Sequence, residues 1–139
     1  MKHLFIILLV SSIVFLGCSS QEKLAKYNDV EISFGNGGGF TGQEITYSLT
    51  SDGVLMMTDK LKNETTEITK LKANKTLNLF DQLTEINIAG LDFNQPGNMY
   101  YFIKETNKSG TQKVVWGDGE NTPPQAVKDY YQLLNSYVN

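Results

Sequence analysis

Arginine is absent from this chain, histidine occurs once, as His3, and cysteine once, as Cys18. Without arginine there is no guanidinium fork, the side chain best suited to bidentate contact with phosphate or carboxylate, which argues against nucleotide and nucleic-acid binding. Beyond His3 no imidazole is left for a Ser-His-Asp or Cys-His arrangement, for base catalysis near pH 7, or for the usual zinc and copper sites. A single cysteine makes no disulfide within the chain. No cofactor and no metal is expected, and no residue is assigned a catalytic role.

What remains for acid–base chemistry is carboxylate. A glycosidase-like pair needs two acids facing each other across a cleft about 5–10 Å wide. Asp118 and Glu120 are close in sequence, but so are many solvated surface acids. The chain carries 12 Lys+Arg against 15 Asp+Glu, and loss of Lys2 would leave 11 against 15, a balance of −4. That is a mildly acidic surface with no basic footprint for DNA or anionic lipid.

The N-terminus has its own pattern. Met1-Lys2-His3 precedes an apolar run from Leu4 to Leu16, broken only by Ser11 and Ser12, and Gly17-Cys18-Ser19-Ser20 follows. A basic start, an apolar stretch within the roughly 7–15 residues of a signal core, and a small residue before cysteine resemble a bacterial lipoprotein precursor with its lipobox. A transmembrane anchor would want about 20 apolar residues, more than this run supplies. The resemblance implies cleavage after Gly17, a lipid (diacylglyceryl, palmitate-type) anchor on Cys18, and attachment to the envelope. With Ser19 in second place the outer membrane is expected, on its periplasmic or exposed side. Residues 1–17 are thus read as a signal peptide, 18–27 as the lipidated cysteine and a polar tether, and 28–139 as one domain. A domain of that size buries enough apolar surface to fold without a metal or a disulfide.

Alternation supplies the strands. Val30, Ile32 and Phe34 alternate with polar residues, and Ile45, Tyr47 and Leu49 do so more cleanly. Asp52-Gly53 predicts a tight hairpin into Val54–Thr58, and threonine-rich Glu64–Leu71 reads as an edge strand. Asn74 is expected to cap a short helix with Leu77, Phe80 and Leu83 on one face, ending near Thr84. Met99–Ile103 is apolar on both faces and predicts a central strand, joined through Asn107–Gly110 to Thr111–Trp116. A last helix is expected with Thr122 as cap, Pro123 at its first position, and Val127, Tyr130, Tyr131, Leu134, Tyr137 and Val138 at helical spacing. The order ββββαββα predicts an α+β fold: an antiparallel sheet of about six strands with its helices on one face.

Two segments invite a binding role. Gly37-Gly38-Gly39-Phe40-Thr41-Gly42 matches G-x-G-x-x-G after a strand. A dinucleotide site also needs a helix to open there, and these glycines run into a strand instead. They read as a flexible hairpin connection with Phe40 at its tip. Trp116-Gly117-Asp118-Gly119-Glu120-Asn121 offers three oxygen side chains, too few for calcium and without EF-hand spacing. It reads as a turn into the last helix. Gly37, Gly38, Gly39, Phe40, Trp116 and Asp118 are the candidate partner contacts, whereas Tyr130, Tyr131 and Tyr137 read as core packing with wet hydroxyls in preference to the alternative, a carbohydrate-stacking platform.

Together, Ile32–Gly42, Pro96–Tyr101 and Val114–Gly119 resemble small, uncharacterised lipid-anchored proteins of Bacteroidota. That resemblance implies the fold and the envelope location and no site residue. A non-enzymatic envelope lipoprotein is expected, a binding or accessory module for a protein or glycan partner. The alternative is a small carboxylate-dependent hydrolase.

Overall fold

Residues 15–139 are described by the computed structural model, with side chains from Ser19 onward. Residues 1–14 of the expected signal segment, and the side chain of Cys18, lie outside the described residues. No described helix is long and apolar enough to cross a membrane.

Helix α1 (Phe15–Leu24) runs into a short 3-10 turn at Ala25–Tyr27. These residues are expected from the sequence to form a polar tether, yet Leu24 and Tyr27 are buried in the core. Spaced three apart, they share one side of the helical turn and reach the body of the protein together. The Tyr27 ring packs 5.0 Å from that of Phe80. Its hydroxyl donates to Asp81 Oδ1 at 2.7 Å, where the Lys26 ammonium also lands at 2.9 Å. The folded body therefore begins earlier than residue 28.

Strands β1 (Glu31–Gly38), β2 (Gln43–Thr50), β3 (Val54–Asp59) and β4 (Glu64–Lys70) follow as an antiparallel meander. Then come α2 (Ala73–Ile86), β5 (Asn94–Gln95), β6 (Met99–Asn107), β7 (Gly110–Gly117) and α3 (Gln125–Asn135). The sheet order is β4-β3-β2-β1-β6-β7-β5, antiparallel except for the two residues of β5, which run parallel to β7. The fold is α+β, as the alternation and helical spacing predict. The structure adds α1 at the front and β5 as a seventh strand, too short to leave an alternation signal.

Register explains the two faces. Ile32 pairs with Leu49, Leu49 with Leu55, Phe34 with Ile103, and Ile103 with Val114. Cross-strand partners share a face, and this one is covered by Leu24 of α1, Leu79, Phe80 and Leu83 of α2, and Val127, Tyr130 and Leu134 of α3. All three described helices thus contribute to one core. The opposite face carries Ser33, Gly35 and Gly37 along β1 and a border of Thr46, Ser48, Lys104 and Thr106 on its neighbours.

Both later helices start differently from the expected caps. Lys72, whose side chain makes no capping bond, precedes α2, and Asn74 lies inside the first turn with Oδ1 accepting the Lys75 N–H at 2.9 Å. The helix continues past Thr84 to Ile86 and stops where Asn87 turns left-handed at φ 51°. Before α3 it is Pro124, not Thr122, that occupies the cap position. A residue that precedes a proline is pushed out of the helical region, so Pro123 cannot be the first helical residue when Pro124 follows.

Candidate functional site

The site is built where the helix layer ends. Tyr101 on β6 and Trp116 on β7 are register partners, so their side chains leave the sheet on the same face. Their ring centres are 6.0 Å apart and the planes tilt by only 31°. Tyr131 of α3 stands nearly upright against them, 5.1 Å from Trp116 at 85° and 5.7 Å from Tyr101 at 68°. Such edge-to-face contacts suit the ring quadrupole and hold the geometry firmly. The Tyr131 hydroxyl is anchored as well, donating to the Gly35 carbonyl at 3.1 Å, and burial raises its pKa.

Between these rings and α3 lies an open cleft of about 290 Å³. Tyr101, Trp116 and Tyr131 form its apolar surface, and Thr122, Lys128 and Gln132 supply the polar rim. Lys128 and Gln132 are four residues apart on α3 and so project from one side of that helix. Among the described residues Lys128 makes no ion pair, and no carboxylate lines the cleft. Trp116 is 6% exposed, whereas Tyr101 is 37% and Met99, two residues before it on the same strand face, 44%. The cleft therefore opens outward along β6.

The expected contact residues scatter. Trp116 reaches the cleft, but as its floor rather than as an exposed turn residue. Asp118 does not join it; it borders a separate, smaller hollow with Gln95, Glu120 and Asn121. Phe40 is fully exposed at the tip of the β1–β2 hairpin, as expected.

The glycine run is only partly a loop. Gly37 and Gly38 belong to β1 and pair with β2 on one side and β6 on the other. On the helix-free face a side chain at Gly35 would strike the Ile45 carbonyl, and one at Gly37 would sit 2.6 Å from the Tyr100 hydroxyl. Small residues here let the β6 aromatics lie across β1. The Tyr100 hydroxyl reaches Glu44 on β2 at 2.5 Å, and that hydrogen bond, with burial, pushes its pKa up to about 12. Phe102 lies over Gly35, with the Lys113 ammonium 4.4 Å from its ring centre. The reversal itself needs only Gly39–Gly42, where Gly39 and Gly42 take φ of 74° and 63°, values that glycine adopts at no steric cost.

Tyr101, Tyr131, Lys128, Gln132 and Thr122 are missing from the sequence-derived contacts. Tyr101 sits in a strand that reads as buried on both faces, and Tyr131 in a helix that reads as core. Successive helical residues point about 100° apart, so Tyr130 enters the core while its neighbour Tyr131 faces the cleft. Nor is the Tyr130 hydroxyl wet, since it donates to the buried Leu79 carbonyl at 2.8 Å. No protein-family model and no curated protein matches this chain.

Proposed function

We propose that this protein is a lipid-anchored, non-enzymatic binding module of the bacterial envelope, and that the Tyr101–Trp116–Tyr131 cleft is its binding surface. The observation that carries the reading is the cleft itself: an apolar, concave surface of aromatic rings with a few polar groups at its rim, the usual composition of a ligand site. Rings held edge-on to one another cost little entropy to present, because binding need not order them. Binding is favoured over hydrolysis because the titratable groups in the cleft are two tyrosines and a lysine. A carboxylate mechanism would want acids facing this space. The Gly17-Cys18 junction supports the anchor and the envelope location.

The test uses the tagged full-length chain, mildly crosslinked in its own envelope. Wild type should capture a partner that Tyr101→Ala loses, while Phe40→Ala at the exposed hairpin tip, outside the cleft lining, retains it. Equal capture by wild type and Tyr101→Ala would remove the cleft as the binding surface. Fatty-acid labelling that persists in Cys18→Ser would remove the anchor.

A further inference from the structure

We infer that the cleft takes an acidic sugar unit, a pyranose ring bearing a carboxylate, as found in uronic-acid-containing glycans. This rests on the cleft being the binding surface and adds what it would hold.

Size sets the first limit. About 290 Å³ lies just under the roughly 300–1,000 Å³ of small-molecule sites, which suits one ring with its substituents rather than a folded peptide segment. Shape sets the second. Tyr101 and Trp116, tilted by 31°, make a shallow shelf, and Tyr131 closes one end as a wall. A ring with one apolar face lies flat on such a shelf.

The rim then selects chemistry. Lys128 is the one charged side chain at the cleft and has no acidic partner among the described residues, in a chain with more acids than bases. An ammonium beside aromatic surface is matched by an anion, and it offers three donors to a carboxylate. Gln132 and Thr122 each both donate and accept hydrogen bonds, which fits a ligand edged with hydroxyls. A flat aromatic acid would satisfy the shelf and Lys128 but leave those two groups without partners. A neutral sugar would satisfy the shelf and the hydroxyl partners but leave the ammonium facing no charge.

Trp116 is the only tryptophan in the chain and forms the cleft floor, so its emission reports this site alone. The full chain, purified in detergent, is titrated with glucuronate, glucose and benzoate while that emission is followed. Glucuronate should give a saturable change, with glucose weaker by about tenfold for want of one charge-assisted hydrogen bond and benzoate by about the same factor for want of partners for Gln132 and Thr122. Lys128→Gln should lose about the same factor for glucuronate and leave glucose unaffected. Because Lys128 is half-buried and unpaired, that variant should melt like wild type. Glucose or benzoate binding as well as glucuronate, or Lys128→Gln binding it unchanged, would overturn the assignment. No response to any of the three, with partner capture still lost in Tyr101→Ala, would overturn the acidic sugar and keep the cleft as a binding surface for a protein. No response together with capture indifferent to Tyr101 would overturn both.

Discussion

The helix-covered face of the sheet is finished differently at its two ends. Over β1–β3, Leu49 and Leu55 meet Leu79, Leu134 and Tyr137 and leave no room for a water molecule. Over β6 and β7, Tyr101 and Trp116 meet Tyr131 of α3 and leave a cleft of about 290 Å³. Branched aliphatic side chains interdigitate to crystal-like density. Flat rings set at right angles to one another support each other at their edges but do not fill the space between. One end of a single layer thus carries stability and the other carries a surface.

The comparison breaks most visibly at the packed end. Leu134 is 1% exposed, and Leu134→Ala should cost about 2–5 kcal/mol through the cavity it leaves. Tyr101→Ala, at the half-open end, should cost clearly less. Denaturant unfolding of both variants measures the gap, and equal losses would mean that the rings are core in the same sense as the leucines.

Gly35→Ala tests how the glycine stretch supports the open end from behind. The added methyl meets the Ile45 carbonyl and the Phe102 ring, so a loss of about 1–3 kcal/mol is expected, the range for overpacking. An unchanged melting temperature would show that the strands part freely at this point.

Tyr131→Phe removes the hydroxyl that ties the cleft wall to Gly35 and should cost about 1 kcal/mol. Its sharper readout is Trp116 emission, because a wall without its tether changes the surroundings of the indole.

Acid should act on the packed end first and by the smallest amount. The Tyr27 hydroxyl and then the Lys26 ammonium hold the Asp81 carboxyl below its ordinary 3.8. A depressed carboxyl contributes stability that is present above its unfolded pKa and lost as pH falls through the folded one, so the window opens below about pH 4. Asp81→Asn should flatten the acid limb of the stability profile and leave Trp116 emission in the folded state unchanged. A profile with the same slope in both proteins would show that Asp81 does not couple α1 to α2.

Much of the fold is legible in the sequence because burial on one face imposes a period, as in Ile45-Tyr47-Leu49 and Val127-Tyr130-Leu134. What escapes has physical causes. Gly37 reads as part of a flexible connection and Gly35 gives no signal, since a strand position filled by a neighbour's ring leaves no apolar letter of its own. Leu24 and Tyr27 are two apolar residues in a charged stretch, too few for a pattern, and only docking on α2 makes them core. The cleft escapes altogether apart from Trp116. Tyr101 and Trp116 meet through β6–β7 register, and Tyr131 joins them only because α3 packs across the sheet, a juxtaposition no local period records.

The early burial of Leu24 has a consequence for reach. Leu24 follows Cys18 by six positions, all within α1, and at about 1.5 Å per residue that stretch spans about 9 Å. On the proposed anchor, that helix is a bracket rather than a leash. The domain would ride against the lipid headgroups in a fixed attitude and sample only what lies within a molecular diameter of the bilayer, so its partner must come to the membrane to be met.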